Sequence, residues 1–205
     1  MNLFEVVCLI LTLVIGMSII ISTLRTGISP MPSSAKVRRV MLEQLSVDDN
    51  THAIADLGSG WGHVSIALAK AYPNIQVTGF ELSFFPWLVS VIWAKIARLN
   101  NITFKRKDFL TVDLLPFQIY CCYLFPKGMQ HLANKLKQQT LIQSTQVSHR
   151  RQLISNTFAL PNYQATRTMT MTDLFRTKIY TYDLYLCFAE LSSHSYYDHD
   201  RFVSH

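Results

Sequence analysis

Apolar residues form one unbroken run near the start of the chain and then settle into short blocks separated by polar turns. Val6 to Leu24 carries no charged side chain over 19 residues, close to the roughly 20 a helix needs to cross the hydrocarbon core of a bilayer. Thr26 to Ser34, with Gly27, Pro30 and Pro32, predicts a linker that ends in a helix N-cap at Ser33 or Ser34. The helix expected over Ala35 to Leu45 has Val37, Val40, Met41 and Leu45 at helical spacing, which leaves Lys36, Arg38 and Arg39 outward. Strand-like and helix-like blocks then alternate. Ala53-Ile54-Ala55, Ile75 to Glu81, Ile102 to Phe104, Ile119 to Phe125 and Arg151 to Phe158 predict five strands; Val64 to Ala69, Phe84 to Ala97 and Met129 to Leu141 predict helices between them. Ala165 to Met171 and Lys178 to Phe188 predict a closing antiparallel pair. The pattern predicts an α/β domain: a Rossmann-like seven-stranded sheet with helices on both faces, behind one N-terminal transmembrane helix.

The block from Phe84 to Ala97 is apolar on more than one face. It reads as a buried core helix or as a second membrane contact, and at about 15 residues it is too short to span.

Composition narrows the picture. A chain that is 49% hydrophobic and 12% aromatic buries a core and is not disordered. The net charge of +6 is uneven, with no acidic residue between Glu5 and Glu43 and with Arg25, Lys36, Arg38 and Arg39 following the apolar run. That asymmetry predicts an uncleaved single-pass anchor (1–27), a domain on the cytoplasmic side (28–190) and a polar tail (191–205). A bacterial inner membrane is favoured, with a mitochondrial inner membrane also open. Lys105-Arg106-Lys107 reads as a solvated strand end. The four cysteines lack C-x-x-C spacing, and His194, His199 and His205 sit in a polar terminus, so no metal site is expected.

The chemistry centres on Asp56 to Gly62, DLGSGWG, between a predicted strand and a predicted helix. Glycines at alternate positions let backbone approach a ligand closely, and the turn delivers free N–H groups at a helix start. A dinucleotide fingerprint would place a third glycine at position 63, where His63 stands. The carboxylate of Asp56 would repel a pyrophosphate but accepts hydrogen bonds from ammonium or hydroxyl groups.

Asp56, Gly58, Gly60 and Gly62, with Glu81 closing the next strand and Asp108 after the third, resemble the motifs of class I S-adenosylmethionine methyltransferases. The resemblance implies S-adenosylmethionine as cofactor. It implies a site formed by Asp56, Leu57, Gly58, Ser59, Gly60, Trp61, Gly62, Glu81, Leu82, Asp108 and Phe109. In it Glu81 takes the ribose hydroxyls and Asp108 contacts the adenine amine. FELSFFPWLV at Phe80 to Val89, the Phe125-Pro126 strand end and SNTFALP at Ser155 to Pro161 are similar to the small membrane-anchored protein-lysine methyltransferases acting on the ATP synthase c-subunit and the adenine nucleotide translocase. That likeness implies a lysine acceptor on a membrane-proximal protein. Phe125-Pro126-Lys127-Gly128 lacks the acid or amide followed by Pro-Pro that accompanies nucleobase or glutamine-amide methylation, so no nucleic acid partner is expected. Met31, Pro32, Phe125 and Pro126 are the candidate substrate slot, and Asp173 and Tyr123 remain possibilities for a base. A lipophilic small molecule, such as a quinone or lipid headgroup, is the alternative acceptor; a non-catalytic scaffold is the third reading.

Overall fold

The computed structural model describes residues 2–26, 33–143 and 151–184. Helix α1 covers Leu3–Thr26. Its start is closed by a reciprocal pair in which Asn2 Oδ1 accepts the Glu5 N–H at 2.9 Å and Glu5 Oε2 accepts the Asn2 N–H at 3.1 Å. Leu3, Phe4 and Leu13 on this helix are exposed. The single-pass span expected between Val6 and Leu24 is not borne out among the described residues, where no helix is long and apolar enough to cross a membrane. From Leu11 onward several α1 side chains lie outside the described residues, so no described apolar stretch reaches the length a span needs. Met31 and Pro32 of the expected slot, and the tail from 191 with its histidines, also lie outside the described residues.

Beyond the linker, α2 (Ala35–Glu43), β1 (Ala53–Leu57), α3 (His63–Ala71), β2 (Gln76–Phe80), α4 (Phe84–Ile96) and β3 (Ile102–Lys105) follow in order. After a short 3-10 turn at Phe109–Thr111 come β4 (Ile119–Cys122), α5 (Pro126–Gln143), β5 (Gln152–Asn156), β6 (Arg167–Thr170) and β7 (Lys178–Asp183). The strands form one seven-stranded sheet in the order β3-β2-β1-β4-β5-β7-β6. The first five are parallel, and β7 runs antiparallel to both β5 and β6. This is the Rossmann-like sheet with a closing antiparallel pair that the pattern predicts. Helix α5 starts three residues earlier than Met129 because Pro126 suits a first helical position, where its fixed φ is pre-organised and its missing N–H costs nothing.

Period two explains why the central strands read as continuous apolar runs: each face is covered. Ile54, Ile119, Cys121 and Ile154 pack with Val37 and Met41 of α2 and Leu68 and Ala69 of α3. Ala55, Leu57, Tyr120, Cys122 and Leu153 pack on the other side with Met129, Leu132 and Leu136 of α5. The neighbours Cys121 and Cys122 thus face opposite layers. The greasy α4 is only partly buried: Ser90 and Ala94 face inward, while Phe84, Val89, Ile92 and Ile96 are exposed. It lies alongside α1.

Asn101 holds the αβ connection below the site. Its amide Nδ2 donates to the carbonyls of Ala69 and Tyr72 at 3.0 Å and Ile75 at 3.1 Å, which ties the end of α3 to the start of β2. Asn101→Ala is expected to lower stability by about 1–3 kcal/mol. The measurement is the urea midpoint, and a midpoint equal to that of the parent would show these bonds to be dispensable.

Candidate active site

The site grows from the end of β1. Leu57 points its side chain fully into the core, so only its backbone is available to a ligand. Asp56 is buried to 3% exposure beneath the turn, and Ser65, on the first turn of α3, donates its hydroxyl to Asp56 Oδ2 at 2.5 Å. Burial pushes the Asp56 carboxyl up to about 6, against the downward pull of the Ser65 bonds, and the nearby negative charge of Glu81 adds to the rise. A folded-state value above the unfolded one means that neutral Asp56 favours the fold. That contribution is complete below the ordinary value of 3.8 and is lost as pH rises through about 6.

Above Asp56 the turn is fixed by backbone bonds. Gly58 and Ser59 N–H groups both donate to Phe80 O, at 3.0 and 2.9 Å, and Gly62 N–H donates to Ser59 O at 2.9 Å. Gly60 N–H donates to Glu81 Oε2 at 2.8 Å, and Ser83 N–H donates to the other oxygen, Oε1, at 2.7 Å. Each carboxylate oxygen keeps further accepting capacity. Gly60 sits at φ +53° with open space where a Cβ would project. Gly62 sits at φ +82°, and a Cβ there would lie 2.7 Å from Ser90 Cβ and 2.8 Å from Phe104 Cζ. Both need glycine, the first for conformation and the second for conformation and space. Ser59 Oγ is buried and, among the described residues, has no hydrogen-bond partner.

The other expected residues spread along the same sheet edge. Leu82 is exposed and Trp61 half-buried. Asp108 follows β3, one strand beyond β2; its Oδ1 accepts the Leu110 N–H at 2.9 Å and caps the 3-10 turn. Phe109 on that turn packs against the core. Phe125, 41% exposed, meets Phe158 at 6.3 Å and 68°, while Tyr123 stacks on Phe158 at 6.2 Å and 16°. Between Tyr123 and Phe125 in sequence, Leu124 reaches to 3.0 Å from the position of a Gly58 Cβ. The aromatic group and the glycine turn are therefore neighbours. Asp173 is tied by Thr177, whose N–H and hydroxyl donate to it at 2.7 and 2.5 Å.

Ser65 and Phe158 are the residues sequence reasoning missed as site members. Ser65 had a signal in its place three residues after Gly62, one helical turn from the strand end. Phe158 lies in the SNTFALP stretch, where nothing local gives it a role.

A family model of the ANTKMT methyltransferase domain matches residues 56–167, more than half of the chain. The release factor glutamine methyltransferase of Aliivibrio fischeri is 30% identical over 81 residues, which is 40% of this chain and 28% of that protein. The chain thus spans less than a third of that curated relative. Among solved structures, an RNA methyltransferase from Salinibacter ruber in complex with S-adenosyl-L-homocysteine has a TM-score of 0.61 at 24% identity, covering 75% of this chain and 94% of that one. A precorrin-6y C5,15-methyltransferase from Geobacter metallireducens has a TM-score of 0.54 at 14% identity, covering 73% and 88%. These two likenesses concern the fold, which is the methyltransferase fold expected from the glycine turn and the strand-end acids. The chain belongs to the ANTKMT methyltransferase domain family.

Proposed function

We propose that this chain is an S-adenosylmethionine-dependent methyltransferase whose acceptor is a lysine amine of a protein held near a lipid surface. The residues fit the cofactor on three counts. Ser59 Oγ is buried without a partner among the described residues, the missing Cβ of Gly60 leaves open space, and Glu81 has acceptor capacity left on a carboxylate already aimed by two N–H groups. When bound, the cofactor supplies an activated methyl on a positively charged sulfur. Asp56 contributes a buried negative charge behind the turn that favours a cationic ligand, and Ser65 holds that carboxylate in place.

The observation that carries the lysine reading is the Tyr123, Phe125 and Phe158 group beside the glycine turn. Aromatic faces attract an ammonium. An acceptor protein that covers these rings would shield the amine from water and lower its pKa from its ordinary 10.4 or so, which raises the neutral, nucleophilic fraction. Placement of that amine in line with the methyl is the protein's main contribution to rate. The proton leaves to solvent. The exposed apolar side chains of α1 support an acceptor near a membrane.

Glu81→Gln is expected to weaken S-adenosylmethionine binding about tenfold or more, because one acceptor oxygen becomes a donor facing N–H groups and hydroxyls. Calorimetry on the full chain reads this, and unchanged affinity would remove Glu81 from the site. The affinity of the parent chain should rise with pH toward a plateau above about 6, since a bound cation favours ionised Asp56; Asp56→Asn should flatten the profile. Incubation with membranes and methyl-labelled cofactor should place label in protein bands at lysine. Label confined to the lipid extract would replace the lysine reading with the small-molecule one.

A further inference from the structure

The connection between β6 and β7 presents the two most exposed large apolar side chains among the described residues outside α1, Leu174 at 91% and Phe175 at 84%. They are not loose ends of a slack loop. Met171 N–H donates to Thr177 O at 2.8 Å across its base, Arg176 N–H donates to Asp173 O at 3.1 Å, and Thr177 binds both oxygens of Asp173. Lys36 Nζ, on the first turn of α2, donates to Thr172 Oγ1 at 3.0 Å and ties the loop to the helix that follows the α1 linker. The tip is therefore held outward by its own base, against the ordinary tendency of two such residues to find cover.

Strand pairing fixes which way the tip projects. Thr170 pairs with Lys178, and Ile179 pairs with Asn156 at the end of β5. The tip thus leaves the sheet at the edge that carries Asp56 to Gly62 and Glu81. Its charge is one-sided: Arg176 and Lys178 are exposed beside it, Lys36 adds a third cation, and the single acid of the segment, Asp173, is turned inward to Thr177. Paired apolar side chains ringed by Lys and Arg match a surface that is apolar below and anionic above.

We infer that residues 171–178 form a lipid-docking wedge: Leu174 and Phe175 enter an anionic bilayer surface while Arg176, Lys178 and Lys36 meet its headgroups. Docked this way, the sheet edge with the candidate active site faces the membrane. The inference deepens the membrane side of the proposed function and rests on it there. Its test reads lipid contact without turnover, so failure to find a lysine acceptor leaves it standing.

Hydrogen exchange of the full chain, read by mass spectrometry, tests it with vesicles of phosphatidylcholine alone and with added phosphatidylglycerol. Amides of 171–178 should slow by about fivefold or more on the anionic vesicles and much less on neutral ones. In a Leu174→Ser, Phe175→Ser variant this slowing should vanish while the urea midpoint stays at the parent value, because both side chains are exposed. A chain that sediments with anionic vesicles while these amides exchange at their free rate overturns the wedge. Equal slowing on both vesicle types overturns the role of the basic residues. Slowing that grows with protein concentration and needs no vesicles assigns the tip to a second copy of the chain instead.

Discussion

The ring of Phe104 sets how closely three segments approach one another. It lies where Cβ atoms at Gly62 and Gly79 would fall, 2.8 and 2.6 Å from their positions. With both Cβ atoms absent, the glycine turn, β2 and the inner face of α4 at Ser90 close around one aromatic side chain from β3. Trp87 Nε1 donates to Phe104 O at 3.1 Å and pulls α4 onto the same strand. The bond from Gly60 to Glu81 depends on this spacing, since the carboxylate follows directly from the strand that Gly79 lets in. A methyl group at either glycine would push turn and acid apart, although neither glycine touches a ligand through a side chain.

The site separates two carboxylates by environment. Both are buried, but Asp56 lies beneath the turn with a hydroxyl as partner, whereas Glu81 has backbone amides on both oxygens. Asp56 senses charge, and Glu81 offers directional acceptors. That division favours a ligand carrying positive charge on one part and hydroxyls on another, and it leaves no place for a pyrophosphate beside Asp56.

Much of this was legible in the chain. The period-two strands, the turn chemistry of Asp56 to Gly62 and the acid at Glu81 are local signals, and all seven strands coincide with predicted blocks, β1 and β3 running on past theirs to Leu57 and Lys105. The unread part is nonlocal. Nothing near Phe104 announces that it will fill the gap left by two distant glycines, and Phe158 becomes part of an aromatic group only once β5 lies beside β4. The exposed tip at Leu174 and Phe175 is hidden for the opposite reason: two apolar residues near a strand normally signal burial, and only their exposure in the folded chain shows that they turn outward. The anchor expectation rests on counting apolar residues, and the described part of α1 is a helix with exposed apolar side chains, without a span among the described residues.

The two adjacent cysteines of β4 carry a consequence for the chemistry of the interior. Facing opposite layers, they are both shut away from water; burial pushes the Cys122 thiol up to about 12 and that of Cys121 well above its ordinary value. Oxidants and alkylating reagents act on thiolate, and in the folded chain these two sulfurs supply almost none. Each sulfur becomes reactive only when its own helical layer lifts from the sheet. Because α5 covers one and α2 with α3 the other, the pair is a built-in two-channel gauge of which side of the molecule opens first.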